Sequence, residues 1–263
     1  MRQYVSDCAP DRKGLLTIRG KDYRYMRQVL RLVVGDMLQV RLPDGGLQNT
    51  TVCQVNESER AIVLQVCADT FVGKKQPQDV ADLDIWLFQF VAKGAKMDTI
   101  VRQATECGVS TIVPVLGAYS QAGGSEKNFK SDRLLRIIRE ARQQSGSATD
   151  THILDAMPLE QAISLWREQC ASVEETFAAV LYERREDTET LHRAVCKKEI
   201  RCAALAVGAE GGISPEEIAL LRQGGFVPVH FKTNILRCET AALYGIAALQ
   251  NAITERGIWQ CKE

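Results

Sequence analysis

The stretch from Ala203 to Gln250 constrains the fold more than any other part of the chain. An apolar run from Ala203 to Val207 ends at a glycine turn, Gly208-Ala209-Glu210-Gly211-Gly212. The residues Ser214-Pro215-Glu216-Glu217 then combine an N-cap serine, a proline suited to the first helical position and the glutamate of a capping box. Gly224-Gly225 suits a left-handed helix end. The pattern predicts a strand, a glycine turn and a well-capped helix.

A second strand and a long helix complete this region, where we expect the chemistry. Residues Phe226 to Phe231 read as a strand, and a polar loop leads to a helix that begins near Glu239. The apolar pair Ile235-Leu236 inside this loop could wall a flat aromatic ligand or staple the following helix. The glycine turn likewise could be purely structural, or could let a neutral or cationic ligand lie against bare backbone.

The first 68 residues indicate a small β-barrel. One helical segment, Lys21 to Leu32, places Tyr25, Val29 and Leu32 at helical spacing and three arginines on its other face. Residues 1–75 carry 12 Lys and Arg against 8 Asp and Glu, a net charge of +4 in a chain whose total is zero. The arginines could contact phosphates or form a solvated helix face. The predicted strands are Leu15 to Ile18, Met37 to Leu42, Thr50 to Val55 and Ala61 to Val66.

A polar segment from Asp69 to Asp82 reads as a linker between two domains. After it the pattern changes to a strand from Leu83 to Val91, a helix from Met97 to Glu106 and a strand from Thr111 to Leu116. This βαβ unit predicts a largely parallel sheet with a right-handed crossover.

Composition excludes several classes of protein. The nine cysteines are scattered, contain no C-x-x-C pair and share the chain with only three histidines, so they give no zinc spacing and read as reduced thiols of a cytosolic protein. We find neither an apolar signal region at the N-terminus nor a membrane-spanning run. No Ser-His-Asp set or paired carboxylate motif can be assembled, and His192 and His230 lack local partners.

The sequence G-A-E-G-G-I-S-P-E-E (208–217), followed by N-I-L-R-C-E-T-A-A-L (234–243), resembles the RsmE-type ribosomal RNA methyltransferases of the SPOUT superfamily. Their usual patterns are G-P-E-G-G-[FIL]-S-x-x-E and L-G-x-R-I-L-R-x-E-T-A. Further resemblance lies in Lys93 to Pro114, in Glu140 to Gly146 and in Tyr25 to Gly35. The match covers nearly the whole chain in order.

The resemblance implies an α/β fold, with a PUA-like β-barrel at residues 1–72 that binds RNA and a SPOUT methyltransferase domain at residues 78–263. Such a domain ends in a trefoil knot, which composition and periodicity would not predict. The resemblance also implies a cytoplasmic homodimer that uses S-adenosylmethionine, and no metal, to methylate a uridine N3 in small-subunit (16S) ribosomal RNA.

The same resemblance implies the site residues. Arg237 is the candidate that stabilises negative charge on the uracil oxygens, and Glu210 is the candidate base or orienting group. The cofactor-binding candidates are Leu181, Tyr182, Val207, Gly208, Glu210, Gly211, Gly212, Ile235, Leu236, Arg237 and Thr240. The candidates for RNA phosphates are Arg2, Arg24, Arg27, Arg31, Lys93 and Lys96.

The chain departs from the family pattern at several positions. Ala209 replaces a proline, Lys232-Thr233 stands where Leu-Gly-x-Arg usually lies, and Tyr119-Ser120-Gln121 stands where Glu-Arg-Ser is expected. Ser147 replaces an arginine, and Tyr23-Arg24-Tyr25 lacks the usual histidine pair. Two alternatives follow: a SPOUT methyltransferase that acts on another RNA position, or a non-catalytic RNA-binding relative.

Overall fold

The computed structural model describes residues 3–71, 83–120, 132–170, 175–185, 187–196 and 199–255. The chain divides into two compact units, one formed by Met1–Gln78 with Arg142–Ala148 and the other by Asp79–Ala141 with Thr149–Glu263. The predicted linker begins too early, because a strand continues to Phe71. The rest of the linker lies outside the described residues.

The first unit contains a five-stranded sheet in the order β1-β3-β4-β5-β2. Its strands are β1 (Gln3–Val5), β2 (Leu15–Arg19), β3 (Met37–Arg41), β4 (Leu47–Asn56) and β5 (Ala61–Phe71). The β1–β3 pair is parallel and the other pairs are antiparallel. All four predicted strands are present, whereas β1 was not predicted. Among the described residues, the strands at the two ends of this order, β1 and β2, are not paired with each other, so the sheet does not close into a barrel.

The helical segment of this unit has a different buried face from the predicted one. It begins as α1 (Gly20–Arg24) and continues as a π-helical turn from Tyr25 to Val29, in which the Leu30 amide donates to the Tyr25 carbonyl. The wider π turn shifts the phase of the side chains. Of the three predicted apolar positions, Leu32 is buried, Tyr25 is half-buried and Val29 is 59% exposed, while Tyr23 and Met26 are buried in addition.

The second unit contains a seven-stranded sheet in the order β12-β10-β11-β6-β7-β8, with β9 also paired to β7. Its strands are β6 (Asp84–Phe90), β7 (Thr111–Leu116), β8 (His152–Ile153), β9 (Met157–Pro158), β10 (Thr176–Leu181), β11 (Cys202–Val207) and β12 (Val227–Val229). Its helices are α2 (Ala95–Glu106), α3 (Asp132–Ser145), α4 (Leu159–Cys170), α5 (Leu191–Val195), α6 (Pro215–Gln223) and α7 (Cys238–Thr254). Every strand pair is parallel, which confirms the predicted parallel sheet.

The central strand β11 shows how the sheet builds two cores. All six of its residues are buried, and successive side chains of a strand point to opposite faces. Ala203, Leu205 and Val207 join the core that contains α2 and α7. Ala204 and Ala206, with Cys202, join the opposite core, where α4 and α6 pack. Because helices cover both faces of the sheet, the carboxyl edge of the parallel strands is formed by loops.

The predicted capping box at the start of α6 is confirmed. The Glu217 amide donates to Ser214 Oγ at 3.2 Å, and the Ser214 amide donates to Glu217 Oε2 at 2.8 Å. The helix ends at Gln223 before Gly225, whose φ of +88° lies in the left-handed region.

Candidate functional site: a cavity at the carboxyl edge of the parallel sheet

A cavity of about 260 Å³ lies where three loops leave the neighbouring strands β10, β11 and β12. These loops follow Leu181, Val207 and Val229, which are the last residues of their strands. Parallel strands end at one edge of a sheet, so three segments distant in sequence meet here. The volume is close to the lower end of the range for small-molecule sites, roughly 300–1,000 Å³.

Most of the predicted cofactor-binding residues line this cavity. The lining includes Leu181, Tyr182, Val207, Gly208, Glu210, Gly211, Gly212, Ile235 and Leu236. Arg237 and Thr240 are the exceptions, and both are exposed at the start of α7, where Arg237 is the N-cap residue. The structure thus brings together the loops after β10, β11 and β12, and the resemblance implied cofactor-binding residues in all three.

The glycine turn is fixed by contacts within the protein. The Gly212 amide donates to the Ala209 carbonyl at 3.0 Å, and Gly212 has a φ of +78°. A Cβ atom at Gly208 would lie 2.9 Å from the Gly212 carbonyl carbon, and one at Gly211 would lie 2.7 Å from the Tyr119 side chain. The turn therefore requires Gly208 and Gly211 for its own close packing, whether or not a ligand is bound.

Glu210 is held by the start of the neighbouring helix α2. Its Oε1 accepts from Lys96 Nζ at 2.8 Å and from the Lys93 amide at 3.1 Å. Burial opposes ionisation, but the hydrogen bonds from Lys96 and from backbone amides outweigh it and lower the pKa of Glu210. A carboxylate with a lowered pKa is a poor proton acceptor. The hydrogen bonds of Glu210 and its lowered pKa therefore favour an orienting role over that of the base.

The loop after β12 contrasts with this turn. Ile235 is 89% exposed although it lines the cavity. A staple against α7 would bury this side chain, so the structure contradicts that alternative for Ile235. An apolar wall of a ligand site accounts for its position.

Several lining residues were not individual candidates, and two of them carry chemistry. Glu183 belongs to the loop Leu181 to Glu183 that the resemblance implies, whereas His230 was not expected in the site. His230 follows β12 directly, and its Nδ1 lies 3.1 Å from the Tyr182 carbonyl oxygen. Its partner is 48 residues away in sequence, which explains why a search for local partners found none. The predicted strands did point to these positions. His230 directly follows β12 and Glu183 is the second residue after β10, so both lie at the carboxyl edge of the sheet. The other lining residues that were not individual candidates are Ala209, Ile213, Val229, Phe231, Thr233, Asn234, Cys238 and Ala241.

Cys238 lines the cavity but is a poor nucleophile. Burial and a hydrogen bond to Glu239 raise the pKa of its thiol to about 11. The thiolate is the reactive form of cysteine, and this environment suppresses it. Among the described residues, no group of three or more His, Cys, Asp and Glu side chains could hold a metal ion.

The candidate RNA-binding residues differ in the contacts that their side chains make within the protein. Arg27 donates to the Leu32 carbonyl at 2.7 Å and to Glu57 at 3.0 Å, so its guanidinium has partners within the protein. Its contact with an RNA phosphate stays a prediction. Lys96 is likewise paired with Glu210.

Three of the remaining candidates for RNA phosphates have exposed side chains. Arg24, Arg31 and Lys93 are exposed, and Arg31 has a left-handed φ of 56°. Arg2 lies outside the described residues. In the part of the chain that the structure describes, no helix has the length and hydropathy needed to cross a bilayer.

Comparisons with known proteins agree with this site. The model of the RNA methyltransferase domain family matches residues 80–250, which contain the whole cavity. The ribosomal RNA small subunit methyltransferase E of Aquifex aeolicus is 30% identical over 201 residues, which cover 76% of this chain and 80% of that protein.

Two solved structures share the fold over most of their length. One is the ribosomal RNA small subunit methyltransferase E of Neisseria gonorrhoeae bound to S-adenosylmethionine, with a TM-score of 0.78, 21% identity, and coverage of 95% of this chain and 97% of that one. The other is a Legionella pneumophila protein described as a methyltransferase in complex with S-adenosylmethionine, with a TM-score of 0.77, 24% identity, and coverage of 95% and 96%. The chain therefore belongs to the RNA methyltransferase domain family and, within it, to the ribosomal RNA small subunit methyltransferase E group, as its motifs indicate.

Proposed function

We propose that this protein transfers a methyl group from S-adenosylmethionine to N3 of a uridine in small-subunit (16S) ribosomal RNA. The observation that carries the proposal is the cavity itself. The two motifs of the family, residues 208–217 and 234–243, meet around it, although the chain separates them by a helix and a strand. The relatives are named for this RNA, and two structures of the same fold hold this cofactor.

The lining of the cavity fits S-adenosylmethionine. Leu181, Val207 and Leu236 offer apolar surface to the adenine ring, and the carboxylates of Glu183 and Glu210 in the same lining can balance the positive charge of the cofactor. Leu181, Tyr182, Val207, Gly208, Glu210, Gly211, Gly212, Ile235 and Leu236 would contact the cofactor directly, and Arg237 and Thr240 would close the site from the start of α7.

The bound cofactor supplies a sulfonium methyl group that is already electrophilic. The protein's part is to position the uracil and to stabilise the charge that spreads onto its ring oxygens when N3 loses its proton. Arg237 is our candidate for stabilising that charge, because it follows the cavity loop directly and its side chain is exposed. Glu210 orients the glycine turn through Lys96.

The finer architecture belongs to the same proposal. The five-stranded sheet of the first unit supports a PUA-like RNA-binding domain at residues 1–72, and residues 78–263 form the SPOUT domain. The trefoil knot at the end of this domain is proposed from the resemblance of the motifs at residues 208–217 and 234–243. We further propose that the protein works as a homodimer in the cytoplasm, where ribosomal subunits are assembled.

Methylation of isolated small ribosomal subunits with a labelled methyl donor tests the proposal. We expect label in the 16S RNA and 3-methyluridine in its nucleoside digest by mass spectrometry. Label at another atom would support a methyltransferase with a different target. Binding of RNA without binding of S-adenosylmethionine in calorimetry would favour a non-catalytic relative and overturn the proposal.

The role of Arg237 gives a separate prediction. Replacing Arg237 by Ala should lower turnover at least 100-fold, the size of loss expected for one charge-stabilising group. The dissociation constant of S-adenosylmethionine should stay within about threefold, because Arg237 does not line the cavity. Asn251→Ala, at an exposed position near the other end of α7, is the control, and unchanged turnover in the Arg237 variant would remove this role.

A further inference from the structure

A second cavity, of about 720 Å³, adjoins the first and differs from it in chemistry. The two cavities share three lining residues, His230, Thr233 and Asn234. The described residues that line only the second cavity are all polar or charged: Arg185, Thr188, Glu189, Thr190 and Lys232. Such a lining does not suit an adenine ring, but it suits a nucleotide with a polar base and a phosphate.

His230 stands at the junction of the cavities in a defined chemical form. Its Nδ1 lies 3.1 Å from the Tyr182 carbonyl oxygen, and a carbonyl oxygen can only accept a hydrogen bond. Nδ1 therefore carries the proton, and in the neutral ring Nε2 holds a free lone pair. Within the described residues, Nε2 has no hydrogen-bond partner.

We propose that the second cavity receives the target uridine and that His230 is the catalytic residue that accepts its N3 proton through Nε2. This inference rests on the proposed uridine N3 methylation. The need for such a group is chemical, since N3 of uracil is protonated and has no in-plane lone pair for attack until that proton leaves. The hydrogen bond to Tyr182 orients the imidazole for this task, as an orienting acceptor does for other histidine bases.

The step balances in atoms and charge. The N3–H bond breaks, and the proton goes to Nε2 to give an imidazolium held at Nδ1 by the Tyr182 carbonyl. The N3–CH₃ bond forms as the S–CH₃ bond of the cofactor breaks. The products are 3-methyluridine, S-adenosylhomocysteine and a proton that His230 releases to solvent.

The charges around the junction fit both partners of the reaction. Glu183 in the first cavity and Glu189 in the second can stabilise the imidazolium, while Arg185 and Lys232 can bind the phosphates that flank the uridine. Glu210 faces the first cavity but is paired with Lys96.

His230→Asn separates a chemical role from a structural one. The Asn side-chain amide can keep a donor near the Tyr182 carbonyl but offers no basic nitrogen. We expect turnover of small subunits to fall at least 100-fold, which is the lower range for loss of a general base, with the affinity for S-adenosylmethionine within about threefold. His152→Asn is the matched control, because that side chain is 68% exposed on β8.

Several results would overturn the inference. Full turnover in His230→Asn would show that only the hydrogen bond matters. A loss confined to cofactor affinity, with normal turnover at saturation, would make His230 a cofactor ligand. If wild type itself leaves uridine N3 unmodified, the proposed function fails instead, so the two failures are distinguishable.

Two further measurements test the inference, and the first needs only wild-type protein. Nitrogen-15 NMR of labelled histidine should show His230 in the Nδ1–H tautomer, and the Nε2–H tautomer would overturn the proposal. In wild type, turnover divided by KM for RNA should fall on the acid side with the protonation of one group, because imidazolium has no lone pair. This acid limb should be absent in His230→Asn and present in His152→Asn.

Discussion

The turn Gly208–Gly212 and the loop Thr233–Leu236 line the same cavity, yet they are held in different ways. The turn contains an Ala209–Gly212 bridge, leads into a capped helix and is tied to α2 through Glu210. The loop has a short contact between the Thr233 amide and the Phe231 carbonyl, and it presents Ile235 to solvent.

The difference indicates separate tasks for the two segments. Contacts within the protein fix the turn in advance of any ligand, so its binding surface is preorganised. The Ile235 side chain is 89% exposed, so removing it from water under a ligand would favour binding. We therefore expect changes in the turn to affect stability and binding together, and changes in the loop to affect binding alone.

The largest effect is expected for Gly208→Ala. Its Cβ would lie 2.9 Å from the Gly212 backbone and from Ile213 Cγ1, so the turn must shift. Overpacking of this kind costs about 1–3 kcal/mol of stability, and we expect S-adenosylmethionine to bind at least tenfold more weakly. Denaturant unfolding and calorimetry measure the two effects. Gly225→Ala is the control, since its Cβ meets nothing within 4 Å and only the φ of +88° opposes it; equal losses of affinity in both variants would contradict the preorganised turn.

Ile235→Ser should separate binding from stability. The side chain is 89% exposed, so its loss should change the free energy of unfolding by less than about 0.5 kcal/mol. Covering part of an Ile by a ligand is worth up to about 1.5–3 kcal/mol, and we expect the dissociation constant of S-adenosylmethionine to rise about tenfold. Val33→Ser, on another exposed apolar side chain, should leave binding unchanged. Unchanged affinity in the Ile235 variant would show that the loop does not cover the cofactor.

The same contrast shows what the sequence could and could not predict. The glycine turn, the capping box and the parallel strands follow from local signals, and these predictions are confirmed. The burial of Tyr23 and Met26 in place of Tyr25 and Val29 could not be predicted, because a π turn leaves no mark in an apolar pattern.

Some features of the site could also be predicted from local sequence, whereas others depend on contacts between distant segments. The motifs predicted the walls of the cavity, and their meeting point depends on strand order. The bond between His230 and Tyr182 depends on the pairing of β10 with β12, which joins segments 48 residues apart. The chain order of these strands does not reveal that they are neighbours.

Ser214→Ala tests how far the capped helix supports the turn. The variant loses the hydrogen bond from the Glu217 amide to Ser214 Oγ, and loss of an N-cap costs about 1 kcal/mol. We expect a lower free energy of unfolding in denaturant and a twofold to threefold loss of cofactor affinity, because Gly212 lies two residues away. Thr190→Ala is a useful comparison at the start of α5, where no side-chain cap bond is present. A loss of affinity as large as that of Gly208→Ala would show that the helix start, rather than the turn, shapes the cavity.

The smallest effect concerns the pH dependence of the tie between Glu210 and Lys96. Hydrogen bonds lower the pKa of Glu210 in the folded protein, so its contribution to stability is present above the ordinary pKa of 4.5 and is lost as the pH falls through the lowered value. The Lys96 and Glu210 side chains are 37% and 27% exposed, and ion pairs that water reaches stabilise proteins weakly. We expect Glu210→Gln to melt within about 3 °C of wild type at pH 7, with the difference disappearing at acid pH. Thermal melts of both proteins between pH 3.5 and 8 measure this, with Glu140→Gln on the exposed face of α3 as the control. A difference that stays constant down to the lowest pH would mean that the ionised carboxylate does not hold the turn, and the rigidity of Gly208–Gly212 would then rest on its backbone contacts and glycine packing alone.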